Sequence, residues 1–269
     1  MEGMFEPALC ALFGMFVGFA GGYAGIGGAP FLVAAMVLFL GYDQHLAQGT
    51  VLAVMLGPMS LPGVLVMWDR VRLLKVEIAI GVVAYALFSN VGARIAYAVH
   101  THILQIAFGG LLILLGVKYL AGSKRADSRT LDPDRVTLGE GNLRFSRLNV
   151  GILASLIGVV GGLFGIGAGV VMVPLFIGVF ALHKDDARAL SLAILLPPVS
   201  IGAIVEYSAQ GGIDWTGALI ILVAYISTNL PGAKLGRAHD TRLFLKVMGA
   251  LLLILGCMDV AAALVKAGA

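Results

Sequence analysis

A long uncharged segment that occurs twice constrains the fold of this chain more than any other feature. Residues 7–42 contain no Asp, Glu, Lys or Arg, and neither do residues 148–183. The second segment repeats the first 140 positions later, because GGYAGIGG at 21–28 returns as GGLFGIGA at 161–168. The same offset then holds without a gap to the end of each half. The chain is therefore built from two copies of one uncharged, glycine-rich unit.

The composition places both copies in a membrane. The chain is 59% hydrophobic and 12% charged, with a mean hydropathy of +0.99, whereas soluble domains are roughly 25% charged. Uncharged runs of about 18 residues or more are typical of transmembrane helices, since backbone polar groups in lipid must pair within their own segment. We therefore predict an all-α polytopic membrane protein. Its apolar regions lie at 8–41, 46–67, 76–97, 103–121, 148–181, 189–209, 215–236 and 244–265.

One long polar segment separates the two repeats. Residues 122–147 hold six Lys or Arg and four Asp or Glu. Because basic loops stay on the cytoplasmic side of a membrane, we predict a cytoplasmic linker between a first transmembrane repeat at 1–121 and a second at 148–269. The net charge of +3 lies in such loops, so it indicates topology and not nucleic-acid binding.

The loop charges indicate that the two repeats are inserted in opposite orientations. The loop at 68–77 is basic, and its equivalent at 208–217 has no Lys or Arg. Conversely, the second-half loops at 182–188 and 237–243 are basic, and their first-half equivalents are not. Homologous repeats with opposite charge placement are typical of inverted-repeat transporters. This topology predicts a multi-pass membrane protein with both termini outside the cytoplasm.

Each uncharged segment is too long for one membrane helix and too short for two full ones. A single helix over 148–183 would be about 54 Å long, against a hydrocarbon core of about 30 Å. We predict two shortened helices that break at the glycines, at 25–28 in the first half and at 165–169 in the second. Each broken pair is either re-entrant or crosses twice, and three transmembrane helices follow it in each half.

Glycine-broken helices suit the binding of a small anion. Glycine adopts φ > 0 and lets another backbone approach, and a helix that restarts at the break presents free N–H groups and a positive dipole end. Two such breaks are expected to converge near the midplane of the membrane. The alternative is that the glycines are packing surfaces between helices. The predicted substrate-binding glycines are Gly25, Gly27, Gly28, Gly165, Gly167 and Gly169.

Three further pairs of polar residues occur at equivalent or neighbouring positions of the two halves, and each has a structural alternative. A serine beside a helix-bending proline can bond freed backbone groups. A cation near a helix end can snorkel to the headgroups, and an asparagine can join two helices. As substrate-binding candidates we take Ser60, Ser200, Asn90, Asn229, Arg94 and Lys234.

Glu206 is the one carboxylate expected within a membrane segment, and an intramembrane acid is a candidate for coupling to H⁺ or Na⁺. The alternative is a surface position, because Glu206 is close to a helix end. We predict no catalytic residues, no metal site, no cofactor and no enzyme activity, since no acid pair, Ser/His pair or metal-ligand set occurs at membrane depth. The expected partners are a small anionic substrate and the lipid bilayer, with no nucleic acid; a homo-oligomer is compatible with the sequence.

Several motifs together resemble the sulfite exporter TauE/SafE family, also called the four-toluene-sulfonate uptake permeases. The resemblance covers essentially the whole chain. It is carried by GGYAGIGG with Pro30 after it, by GGLFGIGAGVVMVP with Pro174, by an A-x-x-(T/S)-L-like stretch at 187–192, and by G-A-(R/K)-(I/L) at Gly92 and Gly232. The first half departs from this pattern, with QGTVL at the position equivalent to that stretch.

The resemblance implies a bacterial inner-membrane carrier, coupled to an ion gradient, that exports or imports sulfite, thiosulfate, sulfonates, sulfoacetate or related carboxylates. Combined with the repeats, it predicts a secondary transporter that works by alternating access. The alternatives are an anion channel and a non-transporting membrane scaffold or assembly protein. A channel tends to expose a continuous polar stripe along its pore, and a scaffold does not need broken helices at matching positions.

Overall fold

The computed structural model describes residues 2–24, 28–125, 146–167, 169–180, 182, 184–238 and 241–268, and across these residues all regular structure is helical. The helices of the first half are α1 (Glu2–Ala24), α2 (Ala29–Phe39), α3 (Gln44–Val54), α4 (Leu61–Val66), α5 (Trp68–Val71), α6 (Lys75–Ala98) and α7 (Thr101–Arg125). Those of the second half are α8 (Arg147–Phe164), α9 (Gly169–Phe180), α10 (Lys184–Ile194), α11 (Ile201–Ala209), α12 (Trp215–Ala238) and α13 (Thr241–Gly268).

Within the described part of the chain, four helices are long and apolar enough to cross a membrane by themselves. Further apolar helices are shorter and belong to α1, α2 and α13. The four candidate spans are Lys75–Ala98, Thr101–Ala121, Arg147–Phe164 and Trp215–Leu235. The predicted class, an all-α polytopic membrane protein, is confirmed. Most of the predicted linker lies outside the described residues.

Both long uncharged segments are broken at their glycines, as predicted. Helix α1 ends at Ala24 and α2 begins at Ala29, and Gly28 has φ +67°. Helix α8 ends at Phe164, where Gly165 takes the left-handed conformation with φ +65°. A residue with a β-carbon rarely adopts this conformation, so glycine at these positions ends one helix and starts another. The restarted helices α2 and α9 have 11 and 12 residues.

The next segment of each half, predicted as one transmembrane helix bent at a proline, is fully interrupted. Helix α3 ends at Val54 and α4 begins at Leu61, and the equivalent gap separates α10 from α11. Each gap contains a proline, Pro58 or Pro198. Proline has no N–H for the helix ladder and disfavours helical backbone in the residue before it. Each half therefore has two broken segments followed by two continuous helices.

The two halves are interlocked through equivalent helix pairs. Helix α1 packs along α12, and its equivalent α8 packs along α6. At the closest points Gly22 meets the backbone of Asn229, and the equivalent Gly162 meets the backbone of Ser89. A β-carbon would overlap the facing carbonyl in both places. Part of each glycine motif therefore serves helix packing.

Helices α7 and α13 are equivalent in the repeat and cross each other in an antiparallel direction. Gly109 lies against Gly256, and Gly116 lies against Gly249. By the repeat offset of 140, Gly109 is equivalent to Gly249 and Gly116 is equivalent to Gly256, so the repeat exchanges the two helices and maps one pair onto the other. Because the two helices run in opposite directions, the rotation that relates them must reverse the helix axis.

The contacts between loops follow the grouping that the loop charges predict. In the basic group, Arg70 of α5 pairs with Asp186 at the start of α10, with 3.2 Å between Nη1 and Oδ1. In the other group, the Tyr42 hydroxyl donates to Asp214 Oδ2 at 2.8 Å. His45 Nε2 lies 3.1 Å from the Ala96 carbonyl near the end of α6. Basic loops thus contact basic loops, and uncharged or acidic ones contact each other.

Candidate functional site

The break between α8 and α9 lies directly against α3 of the other half. A β-carbon at Gly165 would come 2.6 Å from Gln48 Cα, and one at Gly167 would overlap the Met55 side chain. Gln48 and Met55 are seven residues apart in sequence, so they lie on the same side of the helix and its end. Only glycine leaves room for this approach, and it also supplies the positive φ of both positions.

Gln48 is buried at this break and is held by one strong hydrogen bond. Its exposed fraction is 0%, and the Tyr207 hydroxyl donates to its Oε1 at 2.8 Å. The same hydroxyl lies 3.4 Å from the Gly162 carbonyl on α8. The Nε2 group of Gln48 has no hydrogen-bond partner among the described residues, and neither amide atom of Gln44, one turn earlier, has one. Sequence reasoning missed these residues, although two glutamines four apart in an apolar helix were the available signal.

Arg188 of α10 is the repeat equivalent of Gln48 and lies beside the other break. Its side chain is buried, and Nη2 donates to the Tyr23 carbonyl at 3.1 Å, near the end of α1. Asp185 Oδ1 lies 4.0 Å from Nη1. A cation at a helix C-terminus complements the exposed carbonyls and the negative dipole end. Equivalent positions thus place an amide at one glycine break and a guanidinium at the other.

The interruptions that contain the prolines meet in a small cleft between the halves, lined by Met55, Met59, Ser60 and Leu195. Met55 and Leu195 are repeat equivalents, so the cleft lies where the two halves face each other. Ser60 is buried, and its hydroxyl has no partner within the described part of the chain. The Ser200 hydroxyl donates to the Leu52 carbonyl at 3.5 Å. Both predicted serines therefore lie at this junction.

The described glycines of the two breaks pack on different neighbours. Gly28 packs on Val17 and Gly21 of its own half. Helix α8 runs parallel to α6, with Gly162 beside Ser89 and Ala93, so Gly165 lies towards the end of α6 and not at its middle. The proline interruptions bring the equivalent residues Met55 and Leu195 together. Gly169 begins α9, and Gly25 and Gly27 lie outside the described residues.

The two predicted asparagines join helices to one another. The Asn90 amide donates to the Gly202 carbonyl of α11 at 2.7 Å. The Asn229 amide donates to the Gly18 carbonyl of α1 at 3.2 Å, and Asn229 is buried. Both contacts connect a helix of one half to a helix of the other. The structural alternative considered for these residues accounts for these bonds.

The predicted charged residues lie away from the cleft. The Arg94 side chain is 71% exposed, and its Nε lies 3.8 Å from Glu206 Oε2. Lys234 is also exposed, and the Glu206 side chain is partly buried. These positions match the surface alternative, in which a cation near a helix end reaches the headgroups.

A buried carboxylate that the sequence analysis missed lies between α7 and α13. Asp259 has an exposed fraction of 0%, and the Gln105 amide donates to its Oδ1 at 3.1 Å. The expectation that Glu206 alone would lie within a membrane segment is therefore wrong. Asp259 interrupts the apolar run at 244–265, and that single acid was the available signal. Within the described residues no cluster of His, Cys, Asp or Glu could hold a metal ion.

Comparison with known proteins identifies the family of this chain. It is 24% identical to the probable membrane transporter protein YunE of Bacillus subtilis, over 93% of this chain and 95% of that protein. It is 26% identical to a probable membrane transporter protein of Methanocaldococcus jannaschii, over 92% of this chain and 93% of that protein. No solved structure matches the chain significantly. The model of the sulfite exporter TauE/SafE family matches residues 10–258, and the chain belongs to this family of multi-pass membrane proteins.

Proposed function

We propose that the protein is a secondary transporter that moves a small sulfur-containing or organic anion across the bacterial inner membrane by alternating access. Sulfite, thiosulfate, a sulfonate or sulfoacetate is the expected kind of substrate. The observation that carries the proposal is the junction of the two halves, where the interruptions of equivalent segments meet in one cleft. Discontinuous helices at equivalent positions of two repeats are typical of transporter binding sites.

The repeats, at 1–121 and 148–269, have inverted orientations in this proposal. The antiparallel crossing of α7 and α13 supports it, because equivalent spanning helices of opposite direction require an axis in the membrane plane. The basic loops and the linker at 122–147 then face the cytoplasm, and both termini face the periplasm. Rocking of one half against the other would open the junction to each side in turn.

Within this scheme the substrate binds through neutral groups. The backbone around Gly165, Gly167 and Gly169 and the Ser60 hydroxyl would donate hydrogen bonds to the anion. Gly28 packs within its own half and the Ser200 hydroxyl donates to Leu52, so their part in binding rests on the sequence repeat. Gly25 and Gly27 are proposed from sequence alone. A gradient of H⁺ or Na⁺ supplies the driving force. Arg94, Lys234 and Glu206 act from the surface, where they attract or repel ions near one entrance.

Flux in proteoliposomes tests the proposal. We expect saturable uptake of radiolabelled sulfite or sulfoacetate that depends on an imposed pH or Na⁺ gradient. Gly167→Leu should abolish uptake, because the new side chain would overlap Met55 and strain a backbone with φ +57°. Gly110→Leu is the control, because Gly110 is exposed and no heavy atom lies within 4 Å of its missing β-carbon.

The same assay separates the alternatives. Flux that does not saturate and ignores both gradients would indicate an anion channel. Absence of flux for every anion in a correctly inserted wild-type protein would indicate a scaffold or assembly protein. Either result would overturn the proposal.

A further inference from the structure

We propose that Gln48 is a substrate-binding residue whose amide N–H groups bind an anionic oxygen at the α8–α9 break, and that Tyr207 is the residue that positions this amide. The inference rests on the proposed function and adds a defined binding group to it. The ligand class is a small oxyanion, sulfonate or carboxylate that can accept hydrogen bonds from neutral donors. Gln48 and Tyr207 come from different halves of the chain.

The Gln48 side-chain amide is buried and has an unsatisfied hydrogen-bond donor. Its Nε2 is fully buried and has no hydrogen-bond partner among the described residues. A buried donor without a partner costs about 1–3 kcal/mol, and native proteins contain few of them. Such a group in the interior of a membrane protein calls for a ligand or a water molecule that completes it.

The Tyr207 hydroxyl fixes the orientation of the Gln48 amide. The Tyr207 hydroxyl donates to Oε1 at 2.8 Å, which leaves Nε2 as the side of the amide that is available to a ligand. Tyr207 is itself fixed, because it is buried and makes an edge contact with Tyr97 at 5.0 Å between ring centroids. The Tyr97 ring stacks on His45 at 4.8 Å. The donor is therefore held in place before a ligand arrives, which reduces the ordering cost of binding.

The Gln48 amide lies beside the α8–α9 break. Gly165 packs on the Cα and Cβ of Gln48, so the amide is next to the break and not at a remote helix contact. Helix α9 begins four residues later and has 12 residues, so its first turn presents unpaired N–H groups and a positive dipole end. The oriented buried amide of Gln48 thus lies beside the break that precedes this helix N-terminus.

The donors beside the α8–α9 break are neutral, which affects how strongly they would hold an anion. The equivalent residue at the other break is Arg188, which is engaged with the end of α1. Gln44 and Gln48 instead offer dipoles without a fixed charge. Hydrogen bonds from neutral groups are weaker than charge-assisted ones, so an anion held this way is released more readily at the end of each cycle.

Initial rates of radiolabelled sulfoacetate and sulfite uptake into proteoliposomes test the inference. We expect Gln48→Met, which keeps length and loses both donors, to raise KM at least tenfold. Tyr207→Phe should raise KM several-fold with a smaller effect on kcat, because the amide remains but is no longer oriented. Gln210→Met is the control, since Gln210 is exposed, and its kinetic constants should equal those of the wild type.

The variant Gln48→Glu distinguishes a binding role of residue 48 from a purely structural role, because only a binding role predicts that uptake depends on pH. At neutral pH the carboxylate repels the anion, and uptake should be lost. As the pH falls, the protonated carboxyl regains one donor, and uptake should recover relative to the wild type at the same pH. Unchanged KM in Gln48→Met and in Tyr207→Phe, with wild-type uptake intact, would overturn the role of Gln48 and leave the transport function standing.

Folding of the variants is followed by thermal unfolding in detergent without substrate. If Gln48→Met does not fold, Tyr207→Phe and Gln48→Asn decide the question. Gln48→Asn keeps the donors on a shorter side chain and should transport with a raised KM, and wild-type KM values in both would overturn the inference. Absence of uptake by the wild-type protein would overturn the transport function and this inference together.

Discussion

Glycines at different places in this molecule have different physical roles. Gly165 and Gly167 adopt positive φ and end a helix, whereas Gly22 and Gly162 are helical and bring two backbones together. The motif GGLFGIGA therefore combines two functions, since its first part packs on α6 and its second part breaks the helix. The packing alternative accounts for the first part of the motif, and the second part forms the break at which we propose the substrate site.

We expect the substitution Gly162→Ala to destabilise the protein. A β-carbon would overlap the Ser89 carbonyl, and forcing the helices apart typically costs about 1–3 kcal/mol. Gly110→Ala is the matched control, since it has open space and should change stability by no more than a gain of about 1 kcal/mol. Thermal unfolding in detergent measures both, and equal melting temperatures for the two variants would contradict this account.

The interruptions of the helices in this fold coincide with Pro58, with Pro198 and with the positive-φ glycines Gly28 and Gly165, whereas helical prolines such as Pro231 leave their helix continuous. Among the described residues, helices α6, α7, α8 and α12 are long and apolar enough to cross a membrane, and α13 contains a shorter apolar stretch. The α7–α13 pair is the crossing of two equivalent helices, and it contains a polar contact between Gln105 and Asp259. That contact replaces apolar packing at one position of an otherwise apolar interface.

We expect Asp259→Leu to lower the stability of the α7–α13 pair. The Gln105 amide would lose its 3.1 Å bond to the carboxylate and keep only the 3.4 Å contact with the Asp259 backbone carbonyl. Loss of a buried partner costs about 1–3 kcal/mol. The double variant Gln105→Leu/Asp259→Leu should recover part of this loss, because the Gln105 amide is then no longer left without its carboxylate partner. A double variant less stable than the sum of the single effects would argue against the contact as the cause.

The whole molecule is held together by contacts between its halves at both ends and at the centre. Arg70 pairs with Asp186 at the end where the basic loops lie, and Tyr42 bonds to Asp214 at the other end. The cleft at Ser60 lies between equivalent interruptions. A rocking motion that opens one end must break the contacts at that end and can keep those at the other.

We expect Arg70→Gln to increase exposure of the cleft to the face of the basic loops. Asp186 would lose its partner, and that end of the molecule would open more often. The measurement is the labelling rate of Ser60→Cys by a hydrophilic maleimide, with Cys10 and Cys257 replaced by serine. The charge swap Arg70→Asp/Asp186→Arg should restore the slow rate.

Arg72→Gln is the control for this experiment. Arg72 is exposed and lies in the same loop, so its loss changes the local charge by the same amount without breaking the pair. Equal labelling in Arg70→Gln and Arg72→Gln would show that the ion pair does not close this end.

Local patterns along the chain were enough to predict the duplication, the helical membrane class and the glycine breaks. Hydropathy and the backbone freedom of glycine act within one segment, so no knowledge of neighbours is needed. The contacts between segments were beyond such reasoning. Gln48 and Tyr207 are 159 residues apart, and Gln105 and Asp259 are 154 apart. Nothing near either member in sequence indicates the other.

The amino-acid order alone thus decides what each segment is, because solvation in lipid and backbone sterics are properties of the segment. Packing between the halves decides which segments touch. It sets Gly165 against Gln48 of the other half, and it brings Met55 and Leu195 to the same cleft. In an almost wholly apolar chain many pairings bury similar surface, so the close fit of glycines against facing backbones selects one of them.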